Sequence, residues 1–195
     1  TLPAEDPAFL EAFCQGFAQA ARPHEVTLVG GDLTRGPLSI TVQIMGTLPC
    51  GSALLRTGAR SGDQIWVTGE LGSAALGLAV IQGRHTGLEP GLEACVQRLH
   101  RPEPRVGAGL LLRGVASAAI DISDGLLTDL NHVLRASNVG ADIELAGLPM
   151  GTALMAISSE SERWQFALAG GDDYELCYTV PEAQAAGLAA RLQAS

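Results

Sequence analysis

Short apolar segments alternate with helical segments along most of this chain, and this alternation restricts its fold more than any other feature. Apolar runs of strand length occupy residues 26–29, 38–48, 64–69, 118–122, 141–145 and 174–180. Helical patterns occupy residues 7–21, 73–82, 93–100, 104–113, 125–136, 160–169 and the chain from 181 onwards. Strands that alternate with helices predict a layered α+β or α/β fold.

A break in this pattern predicts two domains. Residues 49–52 read Pro-Cys-Gly-Ser, and Pro and Gly interrupt regular structure. We therefore predict one domain over residues 1–50 and a second over residues 51–195. The first part holds only a helix and two strands, which is too little for an independent domain, and the last predicted helix still continues at residue 195. We expect the chain to be cut at both ends.

The charged residues restrict the chemistry. All 12 basic residues are Arg, so no Lys is present to form a Walker-type phosphate loop or a Schiff base. Phosphate must then be bound by Arg, metal ions or main-chain N–H groups. The net charge of −9 and the 4% aromatic content argue against nucleic-acid binding, which needs clustered cations and stacking surfaces.

Two features predict the location of the protein. The longest apolar stretches are far shorter than the roughly 20 residues that span a membrane, so we expect no membrane association. The four Cys are scattered, with no Cys-x-x-Cys pair, and this favours free thiols over a zinc site or disulfides. Free thiols are typical of a reducing cytoplasm, and we expect a cytoplasmic protein.

Three segments at strand ends combine Gly with Asp. Residues 30–36 read Gly-Gly-Asp-Leu-Thr-Arg-Gly, residues 120–125 read Ile-Asp-Ile-Ser-Asp-Gly, and residues 170–175 read Gly-Gly-Asp-Asp-Tyr-Glu. Gly lets a ligand approach the main chain, and Asp suits a hard cation. On spacing alone, a capped turn is the favoured explanation of the first segment, and a solvated acidic turn explains the third as well as a site does. In the second, a helix cap explains one polar residue, whereas two carboxylates and a hydroxyl at a helix N-terminus suit a metal–phosphate site.

Single residues elsewhere are less informative. Arg56 follows the predicted domain boundary, and its guanidinium is suited to ATP phosphates, although a surface position is the ordinary expectation for one Arg. The four His show no metal-ligand spacing, and the sequence has no motif of a serine hydrolase, a zinc peptidase or a dinucleotide-binding protein.

In this order, the segments resemble the thiamine-monophosphate kinase family. The resemblance also includes Arg56, residues 60–63, residues 67–69 and residues 101–106, and it runs over nearly the whole chain. Its most specific part is the pair formed by Asp-Ile-Ser-Asp-Gly-Leu at 121–126 and Gly-Gly-Asp-Asp-Tyr-Glu-Leu at 170–176. The family belongs to a superfamily of ATP-dependent enzymes typified by aminoimidazole ribonucleotide synthetase.

The resemblance implies a two-domain α+β fold, of which this chain would contain the end of the N-terminal domain and most of the C-terminal one. It implies a homodimer formed through the N-terminal domains, ATP bound between the N- and C-terminal parts, and several Mg²⁺ ions. The implied reaction is direct transfer of the ATP γ-phosphoryl group to thiamine monophosphate, which produces thiamine diphosphate.

The resemblance also assigns metal and acceptor contacts. Asp32, Asp121 and Asp124 would bind Mg²⁺. Asp172 would contact thiamine monophosphate, at a position where the family often has Glu. A carboxylate there would suit the cationic thiazolium or the aminopyrimidine of the acceptor.

The remaining assignments concern ATP. Gly31, Asp32, Arg56 and Ser123 would contact the nucleotide, and Arg56 and Asp124 would be catalytic. Phosphoryl transfer needs alignment and charge neutralisation, which Arg, Asp and Mg²⁺ supply without Lys. No general base is needed, because a phosphate acceptor is already ionised at neutral pH.

Two alternatives stay open. A sister enzyme of the superfamily, such as aminoimidazole ribonucleotide synthetase or selenophosphate synthetase, would share the ATP chemistry and differ in its acceptor. A non-catalytic dimerisation or interaction module is the second, because the family's upstream acidic segment and downstream aromatic residue lie outside these 195 residues.

Overall fold

The computed structural model describes residues 1–4, 6–87, 90–157 and 159–193. The chain forms two units, Thr1–Leu48 and Pro49–Ser195. The predicted continuation of the last helix over residues 194–195 lies outside the described residues. Within the described ranges, no helix is long and apolar enough to cross a membrane.

The first unit contains a long helix, α1 (Pro7–Ala21), with the bounds predicted. The Asp6 carboxylate accepts a hydrogen bond of 3.0 Å from the Phe9 main-chain N–H and so caps the helix. Pro7 occupies the first turn, where the missing N–H leaves no helical hydrogen bond unmade. One turn of 3-10 helix, Arg22–His24, follows.

The strands predicted at residues 26–29 and 38–48 are wrong. In the described part of the first unit, the only strand-like pairing is an isolated parallel bridge between Leu2 and Arg35. A strand is stabilised by hydrogen bonds to a neighbouring strand and by burial of one face. Both are missing here, and Val29 and Ile44 expose 83% and 75% of their surface. The apolar pattern therefore indicated a propensity for strand, but no partner strand pairs with these segments in the described part of this unit.

The second unit is built on a three-stranded antiparallel sheet, β1 (Asp63–Val67), β2 (Ala118–Ile122) and β3 (Glu175–Pro181). The strand order is β1-β3-β2, so β3 is central, and Tyr178 lies opposite both Trp66 and Ala119. The strand predicted at 118–122 is confirmed. Those predicted at 64–69 and 174–180 are confirmed with ends displaced by one or two residues.

Helices surround this sheet. They are α2 (Ser73–Ile81), α3 (Leu92–His100), α4 (Val106–Leu112), α5 (Leu126–Ser137), α6 (Thr152–Ala156), α7 (Glu160–Ala169) and α8 (Glu182–Gln193). Each helix predicted in this unit is present, with small changes at the ends, and α6 was not predicted. The sequence of α6 is too short to show helical periodicity.

The core has two apolar clusters because successive side chains of a strand point to opposite faces of the sheet. Cys177 of β3 is buried in the larger cluster, while Tyr178 and Val180 are buried in the smaller one. Helices contribute Leu76, Leu130 and Ala167 to the larger cluster and Leu112 and Leu188 to the smaller one. The sheet is therefore the middle layer of an α/β/α arrangement.

The strand predicted at residues 141–145 is also wrong. Described residues 141–144 form no strand, and one turn of 3-10 helix, Leu145–Gly147, follows them. The segment is not part of the three-stranded sheet, in which the edge strand β1 pairs with β3 alone. It therefore has no neighbouring strand in that sheet. Local alternation of apolar and polar residues is insufficient without such a neighbour.

Candidate active site

The end of β2 and the start of β3 meet at one edge of the sheet. Ile122 lies opposite Glu175 in the antiparallel register. We call residues 121–124 the Asp-Ser-Asp segment and residues 170–174 the acidic loop. Antiparallel pairing places these two segments side by side, although they are far apart in the sequence.

Main-chain hydrogen bonds join the two segments. The Asp172 N–H donates to the Ser123 carbonyl oxygen at 2.9 Å, and the Tyr174 N–H donates to the Ile122 carbonyl oxygen at 2.8 Å. The β2–β3 ladder therefore continues into the loop. The two most specific sequence motifs form one structural unit.

Two glycines allow the close approach of these segments. A Cβ on Gly171 would lie 2.6 Å from the Ser123 carbonyl oxygen. A Cβ on Gly125 would lie 2.9 Å from the Ala169 carbonyl carbon, and Gly125 also has a φ of +105°, which side chains rarely adopt. Larger residues at either position would push the two segments apart.

Asp129 holds the Asp-Ser-Asp segment in place. Its buried carboxylate Oδ2 accepts hydrogen bonds of 2.9 Å from the main-chain N–H groups of Ser123 and Asp124. Asp129 lies in the first turn of α5, so the helix supplies a rigid base for this anchor. Asp129 was not among the predicted site residues. Its position one turn into a helix after an Asp-rich turn was the available signal.

Acidic side chains are exposed along this edge. Asp121 and Asp124 are exposed, Asp172 is half-buried, and the Tyr174 hydroxyl lies 3.5 Å from the Asp172 carboxylate. Partial burial raises the pKa of Tyr174, and the charges of Asp172, Asp121 and Asp124 raise it further. The four side chains therefore share one negative electrostatic environment that is accessible to solvent.

The acidic loop has unusual main-chain geometry. Asp172 and Tyr174 have φ angles of +66° and +50°, in the left-handed region that is uncommon for residues other than Gly, and more so for Tyr than for Asp. Between them, Asp173 is buried and accepts hydrogen bonds of 2.7 and 3.3 Å from the N–H groups of Gly72 and Ala74, at the start of α2. Strained backbone of this kind often occurs at functional sites.

The buried carboxyl of Asp173 has a perturbed pKa. Burial raises it to about 6, and the charge of Glu175 acts in the same direction. Its two main-chain hydrogen bonds and the charge of Arg98 oppose the increase. Asp173 therefore caps α2 at the cost of desolvating a carboxylate.

The remaining predicted residues lie elsewhere in the chain. Gly31 and Asp32 belong to the first unit, where a Cβ on Gly31 would meet nothing within 4 Å and the exposed Asp32 accepts a hydrogen bond of 2.9 Å from the Leu33 N–H. Arg56 precedes β1 with an exposed side chain, and its carbonyl oxygen lies 3.5 Å from the Ser137 hydroxyl. Of the predicted residues, the sheet edge brings together Asp121, Ser123, Asp124 and Asp172.

The described residues include no group of three or more His, Cys, Asp or Glu side chains arranged to hold a metal ion. Asp121 and Asp124 offer exposed carboxylate oxygens, which are the donors that Mg²⁺ prefers. Mg²⁺ commonly uses one or two protein carboxylates and completes its shell with water and substrate phosphate. The donor chemistry of this edge therefore fits Mg²⁺ without forming a complete protein cage.

A cavity of about 740 Å³ lies away from this edge. It is lined by β1, by one side of α5 and by residues 139–149, including Trp66, Leu130 and Ile143. Among the described residues, its lining includes none of the predicted site residues. The acidic edge remains the candidate active site because polar and charged groups converge there.

Comparison with known proteins gives consistent similarities. Residues 60–194 match the family model described as AIR synthase related protein, C-terminal domain. A thiamine-monophosphate kinase of Salmonella typhimurium strain LT2 is 47% identical over 183 residues, which cover 93% of this chain and 56% of that protein. The chain thus spans little more than half the length of this relative.

Solved structures show the same similarity. The crystal structure of thiamine-monophosphate kinase from Stenotrophomonas maltophilia K279a has a TM-score of 0.92 and 43% identity, and the match covers 100% of this chain and 63% of that one. A structure of AaThiL complexed with AMPPCP and TMP has a TM-score of 0.75 and 29% identity, covering 94% and 60% of the two chains. These findings confirm the resemblance drawn from the motifs and the α+β fold that it implies.

Proposed function

Because this chain belongs to the AIR synthase related family, as the match over residues 60–194 shows, we propose that the protein transfers the γ-phosphoryl group of ATP to thiamine monophosphate. The observation that carries this proposal is the union of the Asp-Ser-Asp segment with the acidic loop at one sheet edge. The similarity of this chain to thiamine-monophosphate kinases supports thiamine monophosphate as the acceptor. The activity is proposed for the full-length protein.

ATP contacts are proposed on three parts of the chain. The main chain of Ser123 is held by Asp129 at the end of β2, and the residue is half-buried. The exposed guanidinium of Arg56 is suited to a bidentate contact with phosphate oxygens. The open main chain at Gly31 and the exposed carboxylate of Asp32 complete the proposed set.

Several Mg²⁺ ions are proposed as cofactors, with Asp121 and Asp124 as proposed ligands on the sheet edge and Asp32 as a proposed ligand in the first unit. Bound Mg²⁺ supplies charge neutralisation for the phosphate groups. The role of the chain is to keep these carboxylates fixed and accessible. Asp129 does so for Asp124, because it binds the main chain of that residue at 2.9 Å. We propose Arg56 and Asp124 as the catalytic residues, because Arg56 would contact the reacting phosphates and Asp124 would hold the Mg²⁺ that neutralises their charge.

Asp172 is the proposed contact to thiamine monophosphate. Its main-chain N–H is bonded to Ser123, so the residue lies beside the segment proposed to bind ATP, which an acceptor must approach. A negative side chain complements the cationic thiazolium ring. Alignment of the two substrates is the main requirement of phosphoryl transfer, and the ionised acceptor phosphate needs no base.

Three broader assignments accompany this proposal. Residues 1–50 are assigned to the end of an N-terminal domain that binds ATP and Mg²⁺ and forms a homodimer, and residues 51–195 to the C-terminal domain. A cytoplasmic location is proposed because none of the four Cys forms a disulfide in the described chain.

The reaction is tested by incubating the full-length protein with ATP, Mg²⁺ and thiamine monophosphate and measuring ADP and thiamine diphosphate together. Equal amounts of both products are expected, with a loss of about a hundredfold or more in kcat for Asp124→Asn. Consumption of ATP without formation of thiamine diphosphate would contradict thiamine monophosphate as the acceptor and favour a different acceptor. Folded protein that consumes no ATP would contradict the kinase assignment and favour a non-catalytic module.

Arg56 provides a separate test of the nucleotide contact. Because its side chain is exposed, Arg56→Ala should leave the melting temperature unchanged while raising the KM for ATP about tenfold or lowering kcat. Arg113→Ala is a matched control, since Arg113 is also exposed and has no proposed contact with substrate. Equal kinetics for both variants would remove Arg56 from the site.

A further inference from the structure

A buried polar cluster surrounds Glu175, the first residue of β3. Its carboxylate is 1% exposed. Oε2 accepts hydrogen bonds of 2.6 Å from the Thr68 hydroxyl and 2.7 Å from Arg105 Nε. Oε1 accepts a hydrogen bond of 2.7 Å from Arg105 Nη2, and Arg98 Nη2 also donates to it. We call Glu175 with these three donor residues the Glu175 cluster.

The Glu175 cluster ties the start of β3 to three other parts of the fold. Thr68 follows β1, Arg98 lies on α3, and Arg105 immediately precedes α4. The main-chain N–H of Thr68 also donates a hydrogen bond of 3.0 Å to the Leu176 carbonyl oxygen of β3. The end of the acidic loop is therefore attached to rigid elements rather than to other loops alone.

Buried, anchored side chains alternate with more accessible ones along this stretch. Asp173 and Glu175 are buried and bind α2 and the two Arg side chains. Asp172 and Tyr174, which alternate with them, remain accessible and have positive φ angles. Each such angle carries a cost of order 1 kcal/mol or more, so the surrounding contacts must hold the loop in this conformation.

Stability alone is a weak reason for a buried Glu with two Arg partners. Removing charges from water is costly, and apolar residues of similar volume are often equally stabilising or better. Bidentate Arg–carboxylate geometry instead defines the position and orientation of both groups. A role of the Glu175 cluster in fixing the loop conformation therefore accounts for these buried charges better than a role in stabilising the core.

We propose that Glu175 is a positioning residue for the acceptor contact. Held by Arg98 and Arg105, it keeps Asp172 and Tyr174 in the strained conformation that faces the Asp-Ser-Asp segment. This inference rests on the proposed function in one respect, because it is Asp172 that is proposed to contact thiamine monophosphate.

The kinetic test compares three variants of the full-length protein. Glu175→Gln keeps the shape and removes the charge, and Arg105→Lys keeps the charge and removes the bidentate geometry. Both should raise the KM for thiamine monophosphate about tenfold while the KM for ATP stays within about twofold, because only the acceptor side loses its positioning. Val180→Ala is the control: Val180 is fully buried at the other end of β3, so this variant loses stability away from the loop.

Amide hydrogen exchange provides a readout that needs no activity. The N–H groups of Asp172 and Tyr174 are hydrogen-bonded to the Asp-Ser-Asp segment, and Glu175→Gln should accelerate their exchange about tenfold relative to Val180→Ala. If Glu175→Gln accelerates this exchange while the wild-type protein forms no thiamine diphosphate, the proposed function is overturned and loop positioning by Glu175 is supported. If Glu175→Gln matches Val180→Ala in both exchange and the ratio of KM values, Glu175 is only structural and the proposal is overturned.

Discussion

The Asp172 main-chain N–H donates a hydrogen bond of 2.9 Å to the carbonyl oxygen of Ser123. This bond connects the loop before β3 with the segment after β2, which are the two parts of the sheet edge proposed to bind acceptor and nucleotide. Their relative position depends on a few buried groups around them, and the consequences of removing those groups are measurable.

Asp129 should be essential to the shape of the Asp-Ser-Asp segment. Asp129→Ala removes the acceptor for two main-chain N–H groups, so we expect a loss of about 2–3 kcal/mol in the free energy of unfolding, measured with urea. Asp142→Ala, at an exposed carboxylate, should change it by less than about 0.5 kcal/mol. Equal effects of the two substitutions would show that the Asp129 carboxylate does not support the segment.

A side chain at position 171 should destabilise the protein. In Gly171→Ala the new Cβ would lie 2.6 Å from the Ser123 carbonyl oxygen, so the loop must shift and we expect a destabilisation of about 1–3 kcal/mol. Gly140→Ala is the matched control, because a Cβ there would meet nothing within 4 Å. Thermal unfolding by calorimetry measures both, and a Gly171 variant as stable as the Gly140 variant would contradict the close packing.

The pKa of Asp173 predicts a pH-dependent stability. Burial raises this pKa to about 6, above the value of about 3.9 expected in the unfolded chain, so the folded state binds more protons between these pH values. The contribution of Asp173 to stability is therefore fully present below about pH 4 and is lost as the pH rises through about 6. The difference in unfolding free energy between wild type and Asp173→Asn should fall by about 2–3 kcal/mol over this interval.

Denaturant titrations of both proteins at several pH values between 4 and 7 measure that difference. The Asn oxygen can still accept the shorter hydrogen bond, from Gly72, and only the longer bond, from Ala74 to the other carboxylate oxygen, is lost, so the variant is expected to fold. A difference that stays constant with pH would show that Asp173 titrates normally.

The four thiols should divide into two classes. Cys14 and Cys50 are exposed, whereas Cys95 and Cys177 are buried. Burial raises the pKa of both buried thiols, that of Cys177 to about 12, and the reactive thiolate is correspondingly scarce. A chromogenic disulfide reagent at pH 8 should modify Cys14 and Cys50 rapidly and the other two only after denaturation. Rapid labelling of Cys177 in the native protein would contradict the packing of β3.

Much of the fold was predictable because its signals are local. The pattern of apolar residues identified β2 and the helices at 7–21 and 160–169 with correct bounds. The segments at 26–29, 38–48 and 141–145 have the same kind of pattern and form no strand, because a strand also needs a partner that local sequence does not specify. The family resemblance was predictable for a similar reason: its motifs are short and contiguous.

The sequence by itself determined which residue types are available for chemistry: Asp and Arg, with no Lys. It also identified Asp121, Ser123, Asp124 and Asp172 as candidates. Only the tertiary structure placed Asp172 beside Ser123, because antiparallel pairing of β2 with β3 brings together residues that are distant along the chain. The tertiary structure also decided the roles of adjacent acids. Asp173 and Glu175 are buried against α2 and two Arg side chains while Asp172 remains accessible, and that difference arises from packing, which composition and spacing do not contain.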